Sequence, residues 1–251
     1  MKAAGTPSRW PVRAAAILLA MAFLVLVARF WHPVYGFTRF LQLDASNDET
    51  KIGAFRTHPV YVYRDTGGYD GLYYAQIAYD PTLTDPELAP AMDNLGYRGR
   101  RILPSALAWL LAGGQPAWIA NVYSVLNVAA WLGLAVVLWR LLAVADWRGL
   151  AAWAGVLFSA GALGSVRFAL TDLVALAFLS AGLLALERGR ARTGTGLLAA
   201  AALSRETSLL ALIGSVRRPW FSRENLRRVL LAAIPLAGWL IYLRWRLGPS
   251  A

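Results

Sequence analysis

The chain has no cysteine and only two histidines, His32 and His58. The first absence excludes a disulfide framework, a thiolate nucleophile and a zinc–thiolate site. The second excludes a metal centre built from several imidazoles. Charge is also scarce, at 16% of 251 residues against 58% hydrophobic residues. A soluble domain carries roughly 25% charged residues, so this chain is too poor in charge to cover itself with polar surface. Disorder is excluded as well, because disordered chains are charged and poor in aromatics, whereas this one has 11 Trp, 10 Tyr and 9 Phe. Acidic residues are few, 14 against 25 Lys and Arg, which leaves a formal charge of +11. The basic residues form no single patch for nucleic acid. Lys2, Arg9 and Arg13, then Arg188, Arg190 and Arg192, then Arg217, Arg218, Arg223, Arg227 and Arg228, all fall between apolar segments. That is how loop anchors of membrane helices are distributed, held by anionic headgroups.

The composition therefore predicts an all-α integral membrane protein, one membrane domain over residues 1–251. Residues 14–30 form the first apolar run. The bulky Phe30, Trp31, His32 and Pro33 follow it in place of a small-residue cleavage site, so it reads as an uncleaved signal anchor. Residues 31–101 differ. They hold nine of the 14 acidic residues and are rich in Tyr, Gly and Pro. A long insert of this kind is usually functional. With Lys2, Arg9 and Arg13 ahead of the first span, the N-terminus is expected in the cytoplasm and the loop outside it. Residues 102–246 form a helical bundle, with apolar segments at about 102–113, 117–139, 149–164, 168–186, 195–214 and 229–246. The segment 102–113 is short for a bilayer, which needs roughly 20 residues. Six or seven transmembrane helices follow, according to whether it crosses. The Ala-, Arg- and Trp-rich composition fits the plasma membrane of a bacterium with a GC-rich genome.

The densest pattern is residues 67–81, GGYDGLYYAQIAYDP. Two glycines release the chain, Tyr69, Tyr73 and Ile77 repeat at helical spacing, and Asp80-Pro81 ends the run. Asp70 stands at the helix start. One reading makes it an N-cap. The other adds chemistry: a carboxylate there would act as general base toward a hydroxyl. Asp44, Asp48 and Glu49 form a second acidic cluster, either a solvated turn or a site for a divalent cation. Arg98, Arg100 and Arg101 lead into the segment from 102, and either snorkel to lipid or clamp a phosphate. Arg167, Asp172, Arg205 and Glu206 lie in or beside apolar segments, where ionisable groups are costly and signal partners. Arg205 and Glu206, as neighbours, point about 100° apart and need not pair. The small pairs Gly155/Ser159 and Gly161/Ser165 fit helix packing. Trp31, Trp109, Trp118, Trp139, Trp147, Trp220 and Trp245 read as an interfacial belt.

These features resemble the membrane glycosyltransferases of the GT-C superfamily. The likeness is to the type that adds the second mannose of GPI anchors and to its bacterial relatives. It rests on the signal anchor, the long outer loop and the run Tyr69-Asp70-Gly71-Leu72-Tyr73-Tyr74-Ala75-Gln76-Ile77-Ala78. Weaker matches are 97–104 (YRGRRILP), 168–175 (FALTDLVA) and 202–210 (ALSRETSLL). The resemblance implies a GT-C-like module, with a polyprenyl-phosphate sugar as donor and hexosyl or mannosyl transfer on the outer face for cell-envelope synthesis. It implies Asp70 as the catalytic base. Tyr69, Tyr73, Tyr74, Arg98, Arg100, Arg101, Asp172, Arg205 and Glu206 would then line the substrate cavity. No cofactor is required by the sequence, and a divalent cation is compatible with it. A membrane protein partner is a further expectation. Two other functions compete: a non-catalytic membrane subunit related to such enzymes, and a small transporter or flippase. The second should show internal repeats, and the sequence has none.

Overall fold

The computed structural model describes residues 10–47, 51–212 and 222–248. The described residues are mostly helical. The longer helices are α1 (Trp10–Ala28), α5 (Ile102–Leu111), α6 (Pro116–Leu141), α7 (Trp147–Leu157), α8 (Ala160–Arg167), α9 (Asp172–Glu187), α10 (Ala191–Ser204) and α11 (Arg223–Leu247). Between α1 and α5 lie the short helices α2 (Gly53–Thr57), α3 (Gly71–Ile77) and α4 (Leu95–Gly99). The sheet is a single parallel pair, β1 (Leu43–Asp44) with β2 (Val62–Tyr63), in the register Leu43 to Val62.

Among the described residues three helices, α1, α6 and α11, are long and apolar enough to cross a bilayer. The segment expected as one helix from 149 to 164 is two, α7 and α8, bent by 42°; counted together they make a fourth crossing. The break has a chemical cause. Ser159 turns out of the helix into extended backbone, and its hydroxyl accepts from the Ala162 N–H to start α8 afresh. The segment expected from 195 to 214 also ends early, at Ser204, where Arg205 is extended and a 3₁₀ turn (Glu206–Leu210) follows. With 16 and 14 residues, α9 and α10 are shorter than the roughly 20 a bilayer needs.

α1 and α6 run antiparallel. Phe23 stacks on Trp131 with ring centroids 3.8 Å apart. Asn121, near the start of α6, accepts from the Phe37 N–H of the loop, whereas Arg13 and Arg140 share a groove with Trp153 at the opposite end. α9 and α10 make the closest helix pair. A Cβ on Gly194 would come within 2.6 Å of Leu186, and one on Gly182 within 3.0 Å of Leu198. The small residues expected at helix contacts are different ones: Gly155 and Gly161 face open space. α11 returns to the loop. Its Trp239 indole donates to the Gly99 carbonyl (2.8 Å), its Tyr242 hydroxyl to that of Thr82 (2.6 Å), and its Arg246 to that of Thr84 (3.1 Å).

The loop is not draped over the bundle; α3 is inserted into it. Tyr74, Ala75, Gln76, Ile77 and Ala78 are at most 1% exposed. Gly67 and Gly68, both at positive φ, turn the chain into this helix. The Gln76 amide accepts from the Ile52 N–H (2.9 Å) and donates to the Ala91 carbonyl (3.3 Å), so one buried side chain fastens three stretches of loop. Ser105 of α5 donates to the Tyr74 carbonyl (2.7 Å). At the head of α3, a Cβ on Gly71 would lie 2.2 Å from the Phe168 carbonyl oxygen. Gly71→Ala is therefore expected to push α3 off the α8–α9 joint, at about 1–3 kcal/mol. A lowered melting temperature of the purified variant checks this; an unchanged one rejects the close approach.

Candidate active site

Three polar groups on α3, α4 and the chain before α4 meet at the loop end of the bundle. Asn94 caps α4, its side chain accepting from the Tyr97 N–H (2.8 Å). This cap orients Arg98, whose residue is 6% exposed. The guanidinium grips Asp93 with two bonds, Nε to Oδ1 at 3.0 Å and one terminal nitrogen to Oδ2 at 2.7 Å. Its other terminal nitrogen donates to Asp70 Oδ2 at 2.6 Å. Tyr73 and Tyr97 lie beside the same cation, at 4.8 and 5.4 Å from ring centroid to guanidinium carbon. The hydrogen bonds from Arg98 hold the Asp93 carboxyl below its usual range, against its partial burial.

Asp70 does not cap α3, because its carboxylate turns to Arg98 instead. Its Oδ1 has no hydrogen bond among the described residues, and its side chain is 42% exposed. A carboxylate with one oxygen anchored and the other open can accept a proton from a hydroxyl. Nε and both terminal nitrogens of Arg98 already bond carboxylates, so the sequence expectation of a clamp at 98 meets a group largely committed to Asp93 and Asp70.

A second set of pairs lies along the same end. Arg101 donates to the hydroxyls of Tyr74 (3.1 Å) and Tyr97 (3.0 Å), and its Nε is 3.5 Å from Glu206. Arg205 pairs with Asp172, which joins the end of α10 to the start of α9. The neighbours Arg205 and Glu206 thus serve different partners, as their 100° separation implies. Arg167 turns to the loop, donating to the Arg39 carbonyl and the Gln42 side chain. Tyr69 stacks on Phe168 at 4.2 Å and 16°, and Tyr69 is 47% exposed. Arg100 is half-buried and forms no ion pair with a described residue. Below these groups, between α5, α6 and α9, opens a cleft of about 250 Å³ with an apolar lining that includes Leu107, Leu126, Ala130, Val174, Ala177 and Phe178.

No family model matches the chain, and neither a curated protein nor a solved structure matches it. The geometry alone carries the functional reading.

The structure brings together Asp70, Tyr69, Tyr73, Tyr74, Arg98, Arg101 and Glu206, with Arg205 and Asp172 adjoining them through α10 and α9. It adds two residues that the sequence reading did not single out. Asp93 completes the grip on Arg98, and the Asp-Asn pair ahead of a five-residue helix was the available signal. Phe168 carries Tyr69, and nothing in its apolar context marks it. Of the second acidic cluster, Asp48 and Glu49 lie outside the described residues. Asp44 is buried and spent on structure: its two oxygens accept from the N–H and hydroxyl of Ser46 and from those of Thr66, at 2.7–3.0 Å. The two bonds from Thr66 pin β1 to the turn after β2, and all four hold the Asp44 carboxyl well below the usual carboxylate range. No group of three or more His, Asp or Glu suited to a metal ion occurs among the described residues.

Two predictions follow from this geometry. Arg98→Ala leaves two carboxylates facing each other and should destabilise by roughly 1–3 kcal/mol, given that both are half-exposed. Arg98→Lys, with its single-point cation, should recover only part; equal melting temperatures for all three proteins would contradict the shared grip. Because Asp44 has a lowered folded-state pKa, its contribution is complete above the ordinary value of about 3.9 and drains away as pH falls through the lowered one. The melting-temperature gap between wild type and Asp44→Ala should therefore be constant near neutrality and narrow only in acid. A gap independent of pH would contradict this role.

Proposed function

We propose that the chain is a membrane glycosyltransferase of the GT-C kind. It would transfer a sugar, hexosyl or mannosyl, from a polyprenyl-phosphate donor to an acceptor hydroxyl outside the cytoplasm. The observation that carries this reading is the open oxygen of Asp70, anchored by Arg98 at the head of a helix buried in the loop end of the bundle. In the reaction Asp70 accepts the acceptor hydroxyl's proton as its oxygen bonds to the anomeric carbon. The bond from that carbon to the donor phosphate breaks, and the polyprenyl phosphate leaves as an anion. Such a leaving group needs little help, so positioning and one base suffice. Arg101, Arg205 and Arg100, at the same end, would serve as counter-charges for the phosphate. The exposed Tyr69–Phe168 stack offers a flat apolar face to a sugar ring, and the cleft between α5, α6 and α9 suits a polyprenyl tail.

The charge distribution supports a matching topology. Arg13, Arg140, Arg148, Arg188, Arg190, Arg192, Arg223, Arg227 and Arg228 belong to the end away from the loop, with only Asp146, Glu187 and Glu224 against them. That end is cytoplasmic by the positive-inside rule. α5 then stays at the outer end, short as it is, and α9 and α10 cross as short helices. The last turn of α11 lies outside with the loop. The absence of native cysteine makes this simple to test. Single cysteines at Asp65 and Arg246 should react with a membrane-impermeant thiol reagent in intact cells, and one at Arg190 only after lysis. Labelling of Arg190→Cys from outside would reverse the orientation.

For the activity, purified wild type and Asp70→Asn, matched for melting temperature, are incubated with radiolabelled polyprenyl-phosphate sugars and membrane extract. Transfer by wild type that falls by at least a hundredfold in Asp70→Asn fits a general base. Equal transfer by both removes Asp70 from the chemistry. Transfer by neither favours the non-catalytic subunit.

A further inference from the structure

The first turns of α10 and α11 lie side by side at the end of the bundle away from the loop. Between them is a cleft of about 520 Å³. Its rim is basic. Arg192 projects from α10 and Arg227 from α11, and neither has a carboxylate partner among the described residues. Arg228, on the same wall, is 3.0 Å from Glu224, so the one acidic group of the cleft already has a cation. The wall one turn further along the two helices is different: Gly196, the buried Thr195 and the half-exposed Leu231 carry no charge. The Thr195 hydroxyl turns back to the Ala191 carbonyl and leaves that wall effectively apolar.

Charge at the mouth and hydrocarbon at depth are the two halves of a phospholipid. A surface basic patch without the apolar depth would serve a soluble anion; an apolar groove without the cations would serve any lipid tail. Here both occur in one cleft between helices that run into the bilayer. Basic pockets of this form on the cytoplasmic side hold anionic headgroups. We propose that the cleft between α10 and α11 binds an anionic phospholipid, its phosphate between Arg192 and Arg227 and the start of its acyl chains against Gly196 and Leu231. The site is at the opposite end of the molecule from Asp70 and does not depend on what Asp70 does. Its structural effect is plain. α11 reaches the rest of the bundle mainly through α10, so a lipid between their first turns ties the last helix down at its free end.

The test uses the full-length protein purified in a neutral detergent. Melting temperature is followed on titration with phosphatidylglycerol, with phosphatidylcholine, and with inorganic phosphate. The proposal expects a rise of about 5 °C with phosphatidylglycerol at roughly a hundredfold over its apparent Kd, and little with the other two. The double variant Arg192→Gln/Arg227→Gln should bind about 30-fold more weakly, and Arg148→Gln, at the same end but outside the cleft, should bind as wild type does. Should the double variant fold poorly, each single variant should show about a fivefold loss by the same measure. An equal rise with phosphatidylcholine means that any lipid serves. An equal rise with inorganic phosphate makes the site one for a soluble anion. Undiminished binding by the variants places the lipid elsewhere. Each of these three outcomes overturns the proposal.

Discussion

A guanidinium is buried at tolerable cost only where opposite charge comes with it, and Arg98 is such a place. Asp93 takes two of its bonds and Asp70 a third. The three residues come from three stretches of chain: the turn before α4, α4 itself and the head of α3. Meeting the charge therefore fixes the relative position of all three. Everything else at that end follows from this fixed point. Tyr73 and Tyr97 pack against the cation, Arg101 reaches the tyrosine hydroxyls, and Glu206 approaches Arg101 from the far side. The same bond that anchors the loop leaves one Asp70 oxygen uncommitted, so support and chemistry share a residue.

The sequence was most legible where one physical rule dominates. The long apolar runs of α1, α6 and α11 are set by solvent alone; the limits of α1 and α6 fall within four residues of the structure, whereas α11 starts six residues before its apolar run. The head of α3 was legible too, because two glycines, an aspartate and a four-residue aromatic repeat all speak for one helix. Legibility failed where a tertiary contact outweighs the local pattern. Ser159 interrupts an apolar run that hydropathy reads as continuous. The glycines that bring helices together are Gly182 and Gly194, not those at 155 and 161, because the closeness depends on the facing residue and not on the spacing alone. Arg98 looked like an open cation because Asp93 and Asp70, 5 and 28 residues away, are invisible to it in one dimension.

The two ends of the molecule handle charge differently. At the loop end Arg98, Arg101 and Arg205 each meet an anion and brace one another's elements, whereas Arg167 turns to uncharged acceptors and Arg100 has no ion pair with a described residue. At the other end the described arginines outnumber the carboxylates. One chain thus carries an end braced by its own ion pairs and an end with an excess of positive charge.

α11 is made long after the loop that its tip touches. Gly99, Thr82 and Thr84 wait for Trp239, Tyr242 and Arg246. During synthesis the loop therefore exists well before its supports from α11 do. The segments around Asp70 can gather on α3, α5 and α6, but the carbonyls at 82, 84 and 99 stay with water until α11 has left the ribosome. Completion of the loop end waits for α11, and a chain halted before it would present an unfinished loop.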